Sequence, residues 1–361
     1  NQTEEVGFRI LAGGGLGRTP VIGQEVFEFV EKKHLLTALE AILRVYNRHG
    51  RRDNKYKARI KILVKETGIV EFRDQVHTEW ERIKDGPQTL SKEEIERCKS
   101  FFVDPSYLDI EDNPNELVKA LDANILFNSW HKQNVSPHKN SGYAIVTICL
   151  KETGIAPGDV TDTQLDYIAD LADEFSFSEV RVTHHQNLVF PNVEQSKLYR
   201  FWQKLKDQSL ASMNLGLLTD MICCPGGDFC ALANAKSIPI AESIQREFKN
   251  IEELEELGEL RINISGCMNA CGHHHVGNIG ILGVDKKGEE FYQVSLGGSS
   301  RNEASLGKII GPSFAQEEIP VVLRKIVAVY RDNKEADESF LETYKRVGIN
   351  PFKEKVYAKA D

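Results

Sequence analysis

The sequence predicts an α+β fold with mixed sheets, and three observations predict it. Between Tyr143 and Lys206 the residues fall into strand, helix, strand, strand, helix. From Ala231 onward a helix, three strands and two closing helices follow. A strand ending in Gly-Gly and followed by an apolar helix occurs near the start of the chain and again near its end. Residues 8–14 read Phe-Arg-Ile-Leu-Ala-Gly-Gly and residues 292–298 read Tyr-Gln-Val-Ser-Leu-Gly-Gly, an offset of 284. Ala38–Tyr46 matches Val322–Tyr330 at the same offset, and Thr67-Gly68-Ile69 echoes Val347-Gly348-Ile349 after a short gap. Two elements at one offset, with a third in order, predict a duplicated unit.

Taken in order, Val6–Ala12 reads as a strand entering the glycine-rich Gly13–Arg18. Counted as G-x-G-x-x-G from Gly13, Arg18 stands where the last glycine is needed, and Pro20 and Gly23 follow. Dinucleotide binding is therefore rejected, and the glycines serve a turn. Apolar spacing predicts helices over Gln24–Lys32 and His34–His49. Residues 47–59 are the densest basic run, with Arg51, Arg52, Lys55 and Arg59. Such a run suits an anionic cofactor, substrate or partner, or a solvated face. Two helices are expected within 69–102, the second opened by Ser91-Lys92-Glu93-Glu94. Asp-Pro, Asn-Pro and Ser-Pro steps make 103–140 a connector with a short helix near Glu116–Ala123.

Strand Tyr143–Leu150, helix Thr163–Asp173, strands Glu179–Thr183 and Asn187–Pro191, and helix Glu194–Lys206 make most of a ferredoxin-like split unit. Beyond it lie helix Ala231–Lys249, strands Leu260–Ile264, Gly277–Val284 and Phe291–Leu296, and helices Glu317–Arg331 and Glu338–Arg346. The expected domains are a partial first repeat (1–105), a connector (106–138), a ferredoxin-like half-domain (139–208) and a last domain (209–361). Copies of equal length would place on the order of 150 residues upstream of residue 1.

A chain of 361 residues supports two or three cores. Its net charge of −9 argues against nucleic acid as a general partner. No apolar run approaches the length of a membrane span. Seven cysteines are present, five of them in or beside two short motifs. A disulfide scaffold would spread them more evenly, so a reducing compartment is expected, with cytoplasm as the default. Cys98 reads as a surface thiol and Cys149 as a core thiol.

The two motifs carry the chemistry. Cys224 and Cys230 bound Cys-Pro-Gly-Gly-Asp-Phe-Cys, and Cys267 and Cys271 lie in Gly-Cys-Met-Asn-Ala-Cys-Gly. Four thiolates within a short stretch are what a four-iron cluster needs, one sulfur per iron. Tetrahedral zinc and buried free thiols are the alternatives. Structural zinc sites use knuckles of about two to four residues, so a five-residue gap opening with Pro-Gly-Gly favours the cluster. Cys223 is left as a neighbour. His273, His274 and His275 are consecutive; on a strand they would face opposite sides and could not converge. A structural role is favoured over a proton relay.

At these residues the chain resembles the siroheme-dependent sulfite and nitrite reductase family. That family carries Cys-x5-Cys followed by Gly-Cys-x-Asn-x-Cys-Gly. Two further segments are similar: Gly7–Gly17, and an Arg-x-Thr-x-x-Gln-Asn strand here formed by Arg181, Thr183, Gln186 and Asn187. The resemblance runs from Gly7 to the C-terminal helix and implies internally duplicated siroheme and iron–sulfur α+β domains. It implies a siroheme coupled to a 4Fe-4S cluster on Cys224, Cys230, Cys267 and Cys271, with Cys271 as the shared, catalytic ligand. It implies six-electron reduction of sulfite to sulfide, or of nitrite to ammonia, with electrons from ferredoxin or a flavoprotein. Siroheme is polyanionic, so Arg51, Arg52, Lys55 and Arg59, with Gln186, Asn187 and Asn269, are its candidate partners. Met268, Ala270 and His273 depart from the family's usual Pro, Gly and basic residue. The family's substrate-binding Arg and Lys residues are expected in the upstream part. A non-catalytic iron–sulfur electron carrier uses the same thiolates and stays open.

Overall fold

In the computed structural model, which describes residues 5–358, the chain divides into two units between Pro105 and Ser106. In the first, strand β1 (Gly7–Ala12) pairs antiparallel with β2 (Gln24–Glu31). The expected helix over Gln24–Lys32 is therefore a strand. Its residues Val26, Phe27, Phe29 and Val30 are β-branched or aromatic, types that fit a pleated surface. Register shifts along β1 let Val26, Phe27 and Val30 all face the core, a spacing that imitates a helix.

A 3-10 turn (Lys32–His34) leads into helix Leu35–His49, as expected. Its buried face, Ala38, Ala41, Ile42 and Val45, packs with Phe72 and Val76 of helix Ile69–Ile83. Helix Ile60–Thr67 was not anticipated; it ends at Gly68, whose φ of 85° is the left-handed stop glycine allows. Lys61 donates to the carbonyls of Leu16 (2.8 Å) and Thr19 (2.9 Å), so the glycine-rich loop is closed by a lysine of the same unit.

The second unit holds two sheets. Strands β3 (Val135–Pro137), β4 (Tyr143–Ile148), β5 (Arg181–Val182) and β6 (Leu188–Glu194) form an antiparallel sheet ordered β3-β4-β6-β5. Helices Asp162–Phe175 and Leu198–Asp207 pack on it, the first opened by a capping box of Thr161 and Gln164. The segment read as a connector is more than that. Helices Asn115–Ala123 and Ile125–Asn134 place Leu117, Phe127 and Trp130 in this core. Pro steps mark where these elements turn, and the apolar residues between them decide where they pack.

Strands β7 (Ile222–Cys223), β8 (Ile262–Ser265), β9 (Ile279–Lys286), β10 (Glu289–Leu296) and β11 (Lys308–Ile309) make the second sheet, ordered β11-β10-β9-β8-β7. β7, β8 and β9 run parallel and β9, β10 and β11 antiparallel. Its core is closed by helices Ile238–Glu247, Ile251–Leu257, Ile319–Asn333, Phe340–Val347 and Asn350–Tyr357. The repeat is visible in these bounds. The 3-10 turn Gln316–Glu318 and helix Ile319–Asn333 lie 284 residues after their counterparts, residue for residue. Gly13 and Gly297, at the same offset, share φ of 77° and 86°. Among the described residues no helix is long and apolar enough to cross a membrane.

Candidate metal centre

Both cysteine motifs begin where parallel strands end. β7 delivers Cys224 and its neighbour β8 delivers Gly266-Cys267, so one sheet edge presents both loops on the same side. The loops then close on one another. Cys224 N–H donates to Ile264 O at 3.1 Å, and the N–H groups of Asn234 and Ala235 both donate to Gly266 O (2.8 and 3.0 Å). Residues 231–237 are held this way, and the helix expected from Ala231 starts only at Ile238. Gly266 and Gly226 meet back to back: a Cβ on Gly266 would lie 2.9 Å from the Gly226 Cα and 2.6 Å from Ala235 O. Any larger residue would push the two loops apart.

The second loop is set by local bonds. Ala270 and His273 take left-handed φ of 60° and 56°, Gly272 N–H donates to Ser265 Oγ (3.1 Å), and Asn263 Nδ2 donates to Gly272 O (2.9 Å). Cys267 is buried, Cys224 and Cys230 are half-buried and Cys271 is exposed. Partial desolvation pushes the Cys271 thiol up, and the thiols of Cys224, Cys267 and Cys230 push it further, so the other three lie within electrostatic reach of Cys271. Deprotonated together, such a group needs a multiply charged cation. Among the described residues no three His, Cys, Asp or Glu side chains are gathered for a single metal ion.

The donor set fits a cluster. Gly266 N–H donates to Cys224 Sγ at 3.1 Å, and Ser237 Oγ lies 3.4 Å from the same sulfur. Amide donors to thiolate stabilise the reduced charge and tune potential. Cys223 is turned the other way by strand alternation: it is buried, burial holds its thiol protonated, and its Sγ faces Cys224 O at 3.2 Å. Asn269 is exposed between Cys267 and Cys271.

Gln186 and Asn187 reach this site through the fold. Gln186, at φ 58°, clasps Cys223: its Nε2 donates to Cys223 O (2.8 Å) and its Oε1 accepts from Cys223 N (2.9 Å). Asn187 is buried, with Oδ1 accepting from Leu150 N and Lys151 Nζ and Nδ2 donating to Asp220. Lys151 and Asp220 were missed by sequence reasoning. Lys151 Nζ is buried, donates to His185 O and Gln186 O, and pairs with Asp220 Oδ1 at 3.1 Å. The sequence carried no signal for it beyond a lysine just after an apolar strand.

Arg51, Arg52, Lys55 and Arg59 lie in the other unit, in and around the loop after helix Leu35–His49. Arg51 pairs with Asp53, Arg52 stacks 4.8 Å over Tyr46, Lys55 lies 5.2 Å over Tyr56, and Arg59 donates to Ala58 O. The three histidines are not on a strand. His273 precedes a 3-10 turn, His274–Val276, which leaves His273 exposed and His274 buried with neither ring nitrogen hydrogen-bonded. Burial, then His275 and His273, push the His274 pKa down to about 3.

A family model for the nitrite and sulphite reductase 4Fe-4S domain matches residues 1–84 and 217–361, well over half of the chain. The chain belongs to the nitrite and sulphite reductase family. The nitrite/sulfite reductase ferredoxin-like half domain matches residues 137–208, between the two 4Fe-4S segments. Relatives split between two substrates. A chloroplastic ferredoxin–nitrite reductase of Betula pendula is 27% identical over 352 residues, covering 92% of this chain and 53% of its own length. A ferredoxin sulfite reductase of Mycolicibacterium paratuberculosis is 27% identical over 315 residues, covering 84% and 49%. The structure of Mycobacterium tuberculosis NirA protein matches with a TM-score of 0.69 at 22% identity, over 96% of this chain and 58% of that one, and shows a shared fold. The chain spans about half the length of the curated relatives it matches.

Proposed function

We propose that this chain is the cluster-bearing part of a siroheme-dependent sulfite reductase. Cys224, Cys230, Cys267 and Cys271 would hold a 4Fe-4S cluster, and Cys271 would be the cysteine that also serves the siroheme. The observation that carries the reading is the pairing of two cysteine loops at adjacent parallel strand ends, with the thiols of Cys224, Cys230 and Cys267 in electrostatic reach of Cys271. Cys271 is the exposed one of the four, as a sulfur that faces a second cofactor must be.

When bound, a siroheme–cluster pair would supply the electron transfer, six electrons in all for sulfite to sulfide. The residues of this chain hold and tune. Gly266 N–H and Ser237 set the charge on Cys224. Gln186 fixes the strand that delivers Cys224, and Lys151 fixes Gln186. Arg51, Arg52, Lys55 and Arg59 supply cations suited to siroheme carboxylates, and Asn269 a donor beside the cluster. Ferredoxin or a flavoprotein supplies electrons, in the cytoplasm. Nitrite is the second reading, favoured by the nitrite reductase among relatives of equal identity.

Visible absorption of the purified chain with iron and sulfide analysis tests this. Heme-like bands with about four non-heme irons per chain are expected. Reduction of sulfite faster than nitrite, with a chemical electron donor, supports sulfite; the reverse order selects nitrite. A brown cluster without heme bands would leave an electron carrier. A colourless zinc protein would sink the reading.

A further inference from the structure

Helix Ile238–Glu247 begins without the cap that its sequence offers. Ser237 stands just before it, where a serine hydroxyl ordinarily accepts an N–H of the first turn. Ser91, Thr161 and Ser339 do so at the starts of helices Lys92–Lys99, Asp162–Phe175 and Phe340–Val347, each on an extended backbone with ψ between 161° and 164°. Ser237 has ψ of −38° and its side chain caps nothing. Pro239, two residues on, has no N–H to be capped.

The hydroxyl goes to a cysteine instead. Ser237 is fully buried, and its Oγ lies 3.4 Å from Cys224 Sγ, its one hydrogen-bond partner among the described residues. Two glycines make room for it. A Cβ on Gly226 would lie 2.6 Å from this oxygen, and one on Gly266 would lie 3.0 Å from it. Both cysteine loops therefore meet the helix at a single hydroxyl. The charge on the sulfur decides which atom donates. A thiol can give its proton to the oxygen, whereas the thiolate that ligates a metal can only accept. Beside a ligating Cys224, the Ser237 O–H must point at the sulfur.

From this diverted cap we infer that Ser237 is a positioning residue that acts through Cys224 and raises the reduction potential of the cluster. The inference rests on the cluster reading given above. Reduction adds negative charge that spreads onto the ligand sulfurs, and a buried donor aimed at one of them stabilises the reduced form more than the oxidised. Gly266 N–H, 3.1 Å from the same sulfur, belongs to the backbone and survives any substitution. The hydroxyl of Ser237 is the donor that a side-chain change can remove.

Potentiometric titration of the full chain with its iron and sulfide bound, followed by electron paramagnetic resonance of the reduced cluster, tests it. Ser237→Ala should keep about four irons per chain. It should lower the equilibrium constant for reduction about tenfold, a fall of about 59 mV in a one-electron midpoint potential. Ser243→Ala removes a hydroxyl of the same helix that is spent on Ile240 O (2.7 Å), and should leave the potential unchanged. If Ser237→Ala fails to hold iron, Ser237→Gly decides by the same titration. The parent's potential in Ser237→Ala, or an equal fall in Ser243→Ala, would overturn the inference. Loss of iron in both Ser237 variants would overturn it too, since the residue would then serve the fold alone. A parent chain that carries no iron would sink the cluster reading as well, and that failure appears in the metal content before any titration.

Discussion

The N-terminal and C-terminal copies of the repeat share a backbone plan and differ in what surrounds it. Among the described residues β1 pairs only with β2, whereas β10 lies between β9 and β11. Phe8 and Leu11 are 38% and 49% exposed; Tyr292 and Ser295, at the same offset, are 1% and 7%. The helices agree in length and bounds, and Tyr46 has Tyr330 as its counterpart. Tyr46 is half-buried beneath Arg52, while Tyr330 is buried and donates to Leu257 O and Glu338 O. Local sequence thus builds the same strand, glycine turn and helix twice. The cysteine loops belong to strands β7 and β8, which the described residues of the first unit do not repeat.

The largest test removes that difference. Cys267→Ser should abolish iron binding while leaving the helical circular dichroism of both copies intact; iron analysis and far-ultraviolet spectra check it. Lys151→Met comes next. It leaves Asp220 buried and uncompensated, and should cost about 3–5 kcal/mol in denaturant unfolding. Adding Asp220→Leu should recover much of the loss. Equivalent core positions sharpen the comparison further. Ile326→Ala should cost about 2–5 kcal/mol, and Ile42→Ala less, because Ile326 is fully buried in the larger of the two cores and Ile42 keeps slight exposure. Equal losses would mean that the two copies pack alike.

The smallest effect at neutral pH comes from His274. Its folded pKa is about 3 against an ordinary 6.5, so the unfolded chain takes up the proton first. Its contribution is complete above pH 6.5 and drains away as pH falls toward 3. Thermal midpoints across that window should slope less in His274→Leu than in the parent protein.

The two cysteine loops were legible in the sequence because spacing and glycine chemistry are local. The long amphipathic helices were legible because their period is local too. β2 misled because two register shifts gave a strand a helix-like apolar pattern. The segment before Tyr143 hid its helices between prolines, and Trp130 revealed its place only through contacts with distant residues. The Lys151–Asp220 pair joins positions far apart in the chain, and no pattern around either residue announces the other. The basic run Arg51–Arg59 was easy to see, but its residues already pair with near neighbours.

The bonds that shape the two cysteine loops are the chain's own: carbonyl, amide and hydroxyl partners close them, and glycines seat them back to back. Each loop is therefore part of the other's wall: a side chain at Gly266 would press on Gly226 and on Ala235 O together, so a single methyl group there should disturb both loops at once.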